Sequence, residues 1–68
     1  MPKLLSSKEI IKILERQGFI FVSQRGSHAK FRKGSHAVVV PTPKKEIPIG
    51  TFRSIVRQSG LSSKTFTK

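Results

Sequence analysis

The fold is decided by residues 25–40, which read RGSHAKFRKGSHAVVV. Gly34-Ser35 separates two runs rich in strand-forming residues, and this pattern predicts a β-hairpin with a two-residue loop. Such a loop places Phe31 opposite Val38 in the neighbouring strand. The same register predicts one packed face of the sheet, made of Ala29, Phe31, Val38 and Val40.

The opposite face of this hairpin is predicted to be cationic. Side chains alternate between the two faces of a strand, so His28, Lys30 and Arg32 share the face away from the core. His36, beside the Gly34-Ser35 loop, falls on the other face.

A third strand precedes the hairpin. Residues 19–23 read FIFVS and are rich in aromatic and β-branched side chains, which is typical of a strand. Arg25-Gly26-Ser27 is expected to break the chain before the next strand begins at His28. Pro41-Thr42-Pro43 is expected to end the sheet, because proline cannot donate a ladder hydrogen bond.

Helices are predicted on both sides of the strands. Ser6 and Glu9 have the spacing of a capping box, and Gly18 is suited to a left-handed C-terminal position, so the first helix is expected from about Ser7 to Gln17. A second helix ends at Gly60. Its apolar stripe, at helical spacing, consists of Phe52, Ile55, Val56 and Ser59.

These elements predict one α+β fold. The order is α-β-β-β-α, with a three-stranded antiparallel sheet and both helices packed on one face. At most one further helical turn is expected between Ser62 and Phe66. A chain of 68 residues is expected to form a single domain over residues 1–68.

Composition excludes several kinds of chemistry. The chain has 14 Lys and Arg against 3 Asp and Glu, a formal net charge of +11, and neither cysteine nor aspartate. Disulfides, thiolate sites and a Ser-His-Asp triad are therefore excluded, and two histidines with three glutamates are a poor set of metal ligands. No cofactor is expected.

The same composition predicts a soluble cytoplasmic protein that binds a polyanion. No apolar run is long enough to span a membrane, and the first residues do not resemble a signal peptide. A basic balance of this size attracts nucleic acids, and an acidic protein partner fits the charge equally well.

Histidine is the one remaining group suited to acid–base chemistry near neutral pH. RNA suits so small a set of groups, because its own 2′-hydroxyl is the nucleophile. His28 is the better candidate of the two histidines, because Arg25 and Lys30 lie beside it and the small residues Gly26-Ser27 let a phosphate approach. The alternative is that His28 is an ordinary surface histidine.

Further cations are candidates for phosphate contact. These are Lys44 and Lys45 after the sheet and the pair Arg53 and Arg57, four residues apart on an exposed helix face. Four aromatic residues lie on apolar stripes and are expected to pack in the core rather than to stack on bases: Phe19, Phe21, Phe31 and Phe52.

Nearly the whole chain resembles the HicA (YcfA-like) mRNA interferases, toxins of bacterial and archaeal toxin–antitoxin pairs. The resemblance is carried, in order, by Gly18-Phe19, Arg25-Gly26-Ser27-His28, Val40-Pro41, Lys45-Glu46-Ile47, Gly50-Thr51-Phe52-Arg53-Ser54-Ile55 and Arg57-Gln58-Ser59-Gly60-Leu61. It implies a fold like that of double-stranded-RNA-binding domains. It also implies metal-independent, ribosome-independent mRNA cleavage with His28 as the catalytic residue, leading to growth arrest. A cognate HicB antitoxin would bind the toxin and cover this site.

The chain departs from these relatives at Pro43, where many members carry a histidine. If that histidine helps to bind or position RNA in those relatives, the help is missing here or comes from Lys44, Lys45 or His36. Two other functions remain open at this point: a non-catalytic RNA-binding module of the same fold, and a basic subunit that only docks an acidic protein.

Overall fold

The computed structural model describes residues 4–67, and it confirms the α-β-β-β-α order. The elements are α1 (Ser7–Arg16), β1 (Ile20–Arg25), β2 (His28–Lys33), β3 (His36–Pro41), α2 (Ile49–Ser59) and a 3₁₀ turn (Ser63–Phe66). The strands form one antiparallel sheet in the order β1-β2-β3.

Two glycine-serine loops connect the three strands. Gly26 and Gly34 have φ values of 56° and 57°, whereas no residue other than glycine has a positive φ among those described. Glycine at positive φ in the first loop position is typical of a type II′ turn, whose twist matches that of the flanking strands. The predicted pairing of Phe31 with Val38 is confirmed.

The limits of the strands differ from the prediction by one or two residues, and two of the differences lie beside His28. Arg25 is the last residue of β1 and pairs with His28, so the first loop contains only Gly26-Ser27. Pro41 is the last residue of β3, where it lies opposite His28. Proline is tolerated there because β3 is an edge strand and the position is terminal.

Local contacts determine both ends of α1, through side chains at the N-terminus and through the backbone at the C-terminus. The Ser6 hydroxyl accepts a hydrogen bond from the Glu9 backbone N–H at 3.1 Å, and the Glu9 carboxylate accepts one from the Ser6 N–H at 2.9 Å. The helix ends at Arg16, one residue earlier than predicted. Gly18 then adopts a φ of 96°, and the Phe19 N–H donates to the Leu14 carbonyl at 3.0 Å, which is a Schellman motif.

Removing the N-cap hydroxyl of α1 is expected to lower the stability of the protein measurably. We expect Ser6→Ala to lower the free energy of unfolding by about 1 kcal/mol, the usual cost of losing an N-cap hydroxyl. Urea unfolding followed by far-UV circular dichroism checks this. Ser63→Ala on the exposed 3₁₀ turn is the control and is expected to cost less than about 0.5 kcal/mol. Equal stability of the two variants would contradict the prediction.

The core lies between the sheet and both helices, which pack on one face as predicted. Its buried side chains are Ile10, Leu14, Phe19, Ala29, Phe31, Val38, Val40, Ile47, Ile55 and Phe66. Two of them lie outside the sheet and the α-helices: Ile47 in the segment between β3 and α2, and Phe66 in the 3₁₀ turn. Phe66 is 1% exposed and packs edge-to-face against Phe52, with ring centroids 5.6 Å apart.

β1 is an exposed edge of the sheet along its whole length. The expectation that Phe21 packs in the core is wrong, because its side chain is 55% exposed. The physical reason is that the helices pack mainly over β3, at the other edge of the sheet. Phe21 makes only a marginal contact with the core, an edge-to-face packing against Phe31.

Candidate functional site

His28 is the first residue of the central strand β2, and its side chain is exposed. Arg25 is its neighbour in β1 and Pro41 its neighbour in β3. Paired residues of adjacent strands share a face, so the Arg25 guanidinium belongs to the same face as the His28 imidazole. Lys30, two residues further along β2, shares this face as well.

His28 also lines an open groove of about 540 Å³ between β3 and α2. The sheet contributes His28, Val39 and Pro41 to its walls, and the segment after the sheet contributes Lys44. The polar side chains contributed by α2 are those of Thr51, Ser54 and Gln58.

Gln58 connects the two walls of this groove. Its side-chain oxygen accepts a hydrogen bond from the Val39 N–H at 3.1 Å, and its amide nitrogen donates to the Ser54 hydroxyl at 3.0 Å. The Val39 N–H is an edge donor of β3, which the sheet leaves without a strand partner. Gln58 therefore satisfies the edge of the sheet and holds α2 beside it.

Lys44 is held at the groove by its backbone. The N–H of Lys44 donates to the Ser7 hydroxyl at 3.0 Å, and the Lys44 carbonyl accepts from the Ser7 N–H at 3.0 Å. Ser7 is only 2% exposed. The segment is also tied to the first hairpin loop, because the Thr42 N–H donates to the Ser27 carbonyl at 2.7 Å. These bonds hold the exposed Lys44 residue at the groove that His28 also lines.

The N-terminus of α2 adds positive potential to the same place. Its N-cap residue is Pro48, which makes no side-chain capping hydrogen bond, and Gly50 and Thr51 line the groove. The first N–H groups of a helix lack intrahelical partners, and the helix dipole makes this end favourable for anions. The groove thus combines an imidazole, an ammonium group and a helix N-terminus.

The structure places the predicted RNA-binding residues in three positions. Lys44 lines the groove together with His28, and Arg25, Ser27 and Lys30 adjoin His28 in the sheet and its first loop. Lys45, Arg53 and Arg57 do not line the groove. Helical spacing places Arg53 and Arg57 on the side of α2 opposite the buried Ile55. These two arginines can contact a polyanion only beyond the groove itself.

Pro43 stands where many of the relatives named above carry a histidine, and two of the three residues that could replace that histidine do not line the groove. His36 lies on the helix side of the sheet, where its ring packs against Gly60. Lys45 is exposed in the segment after β3 but does not line the groove. Of the three proposed substitutes, Lys44 is the one that lines the same groove as His28.

Gly26, two residues before His28, is required by the conformation of the first loop. A Cβ added at Gly26 would meet no atom within 4 Å, so no close approach of the chain requires glycine there. Its φ of 56° requires it instead, because other residues rarely adopt that conformation. Gly26 therefore serves the turn that places Arg25 opposite His28.

Sequence reasoning missed the groove residues Thr51, Ser54 and Gln58. Their spacing of i, i+3 and i+7 is a polar stripe on one side of α2, next to the apolar stripe that was recognised. This stripe was a usable signal. The sequence does not indicate that this stripe faces β3, because the packing of α2 depends on contacts between residues distant in sequence.

The geometry suits binding of a phosphodiester with proton transfer at one position. His28 can exchange a proton, while Lys44, Arg25 and the helix N-terminus favour negative charge. Among residues 4–67, no three His, Asp or Glu side chains are grouped as metal ligands. In the same range, no helix is both long and apolar enough to cross a membrane.

Comparison with known proteins identifies the family. A search of curated proteins finds no match. The family model described as the HicA toxin of bacterial toxin–antitoxin systems matches residues 7–61, from the first residue of α1 to just beyond α2. The matched range includes every residue of the groove and the whole sheet. The chain therefore belongs to the HicA toxin family.

Proposed function

We propose that this toxin is an endoribonuclease, an mRNA interferase that cuts mRNA in the cytoplasm without a ribosome or a metal ion. The observation that supports this most directly is the position of His28. It lies between a cationic sheet face and a groove that contains Lys44 and the N-terminus of α2. A toxin that acts in this way stops translation and arrests growth.

The reaction uses the nucleophile that RNA itself supplies. The 2′-oxygen attacks the adjacent phosphorus, the bond from phosphorus to the 5′-oxygen breaks, and the products are a 2′,3′-cyclic phosphate and a 5′-hydroxyl. A base removes the 2′-hydroxyl proton and an acid protonates the leaving 5′-oxygen. His28 performs one or both of these transfers, while Arg25, Lys30 and Lys44 stabilise the charge on the phosphorane.

The remaining cations extend the RNA-binding surface. Lys45, Arg53 and Arg57 are exposed, and each neutralised phosphate adds a salt-dependent contribution to binding. Ser27 contributes its hydroxyl at the loop before His28. We assign to these residues the binding of nucleotides on either side of the cleaved bond.

Membership of a toxin–antitoxin family implies a protein that inhibits this activity. We propose that the inhibitor is a HicB-like antitoxin that covers His28 and the groove. Such a partner competes with RNA for the cationic face of a chain whose net charge is +11, so we expect it to present negative charge of its own.

Cleavage of a defined RNA tests the proposed function. The purified protein is incubated with a single-stranded RNA in the presence of EDTA, and the ends of the products are analysed. We expect cleavage to persist and to leave cyclic phosphate and 5′-hydroxyl ends. The matched control is the same RNA with 2′-O-methyl groups, which lacks the nucleophile and is expected to stay intact.

The other outcomes distinguish the alternatives. RNA that stays intact but binds with strong salt dependence would identify a non-catalytic binding module. An absence of both cleavage and RNA binding would identify a subunit that only docks a protein. Cleavage of the 2′-O-methyl RNA would contradict the proposed chemistry.

A further inference from the structure

β1 presents an apolar surface that the fold leaves uncovered. Its first three residues are Ile20, Phe21 and Val22, with side chains 68%, 55% and 47% exposed. Ile20 lies on the cationic face of the sheet, opposite Arg32, and Phe21 lies on the helix face, opposite Phe31, so the strand offers apolar contacts to a partner on either face. The sheet register shifts between Phe21 and Ser23, so Val22 forms an irregularity in the strand.

The two edges of the sheet differ. At the β3 edge, the Val39 N–H is bonded to Gln58 of α2. Hydrogen-bonded and non-bonded pairs alternate along an antiparallel ladder, and the pair that closes a two-residue loop is bonded. Arg25 and His28 close the first loop, so the next residue of β1, Gln24, directs its backbone N–H and C=O away from β2. β1 is therefore an edge with donors and acceptors facing outward.

The charge of the protein indicates what can pair with this edge. A second copy of the chain would bring a further +11 against the first, which opposes association. Cations also flank β1: Arg25 ends the strand, and Arg32 lies opposite Ile20 on the neighbouring strand. An acidic segment with apolar side chains would satisfy both the exposed residues and the charge.

We propose that β1 is the docking strand for an acidic protein partner, which adds an extended segment to the sheet beside Ile20, Val22 and Gln24. The added segment supplies backbone hydrogen bonds to the open edge and apolar contacts to the exposed side chains. The partner is the antitoxin, so this inference rests on the partner in the proposed function and not on RNA cleavage.

The position of β1 explains how one partner reaches both surfaces. β1 and β3 are the two edges of the sheet, and His28 lies on the strand between them. Adjacent strands are spaced by about 4.8 Å, so a segment paired with β1 lies about 10 Å from β2. A folded partner anchored there extends across the cationic face and over His28. Docking at β1 and inhibition at the groove are therefore separable.

Substitution of Val22 tests this separation. Val22→Glu removes an apolar contact and places a negative charge against an acidic partner. We expect the Kd for the antitoxin to rise by about tenfold or more, because like charges opposed in an interface disfavour binding strongly. RNA binding and cleavage by the isolated variant are expected to match those of Ser63→Glu, which makes the same charge change on the 3₁₀ turn.

Hydrogen exchange gives a second readout that does not depend on cleavage. In the complex with the antitoxin, we expect the Gln24 amide to become protected, as it does when a strand is added to an edge. The inference is overturned if β1 gains no protection and Val22→Glu binds as tightly as Ser63→Glu. It is also overturned if sedimentation shows that the chain alone forms a dimer which Val22→Glu dissociates, because the occupant would then be a second copy.

Discussion

Replacing His28 with alanine is expected to reduce RNA cleavage by about 100-fold or more, since a positioned general acid or base contributes about 10²–10⁴-fold to the rate. The effect is large because the groove holds no second imidazole: the other histidine, His36, packs against Gly60 on the helix side of the sheet. Rates of cleavage of a labelled RNA measure the loss. In cells, expression of the variant is expected to leave growth unaffected.

His36→Ala is the matched control for this substitution. It removes the same group from a strand of the same sheet, but on the face away from Arg25 and the groove. We expect it to cleave RNA at nearly the rate of the unmodified chain. His28 is exposed, so His28→Ala is expected to stay folded, and thermal unfolding followed by circular dichroism verifies this. Full cleavage by a folded His28→Ala variant would exclude the assigned role.

Phe66→Ala is expected to have the largest effect on stability, a loss of about 3–5 kcal/mol for removing a buried aromatic side chain. Phe66 is the largest of the fully buried side chains, and its ring packs against Phe52. The total stability of a domain is about 0.05–0.15 kcal/mol per residue, which for 68 residues is about 3–10 kcal/mol. The substitution therefore removes a large share of the total and leaves much of the chain unfolded.

Urea unfolding followed by far-UV circular dichroism measures this loss, since the chain contains neither tryptophan nor tyrosine as a fluorescent probe. Lys64→Ala changes an exposed side chain in the same 3₁₀ turn and is expected to cost less than about 0.5 kcal/mol. Phe66→Leu keeps an apolar group in the site and is expected to lie between the two. An unchanged midpoint for Phe66→Ala would show that the terminal turn does not close the core.

The elements predicted best are those with local causes. Ser6 and Glu9 cap α1 through contacts three residues apart, and Gly26 and Gly34 adopt the positive φ that their turns require. Such contacts form between residues close in sequence, so a short stretch of sequence is enough to predict them. The register of β2 and β3 follows from the second loop, and with it the placement of His28 on the outer face.

The features predicted poorly are those that depend on which strands the helices cover. Phe21 and Phe31 are alike in sequence, each an aromatic residue in a strand, yet one is 55% exposed and the other 3%. The difference arises because the helices lie over β3 and leave β1 at the margin. Ile47 and Phe66 are buried because the segment before α2 and the 3₁₀ turn also pack on the core, although neither belongs to the sheet.

The features of the candidate site also fall into those predictable from the sequence and those that depend on tertiary packing. The cationic charge, the single suitable histidine and the closeness of Arg25 and Lys30 to it could be predicted from the sequence, because they depend only on residue types and on separation along the chain. Three further features depend on tertiary packing: Lys44 lines the groove with His28, Arg53 and Arg57 lie outside it, and β1 is an open edge of the sheet. These features follow from the packing of α2 on β3 and from the hydrogen bond between Ser7 and the Lys44 backbone. Both contacts join residues that are distant in the chain, so a local sequence pattern does not predict them.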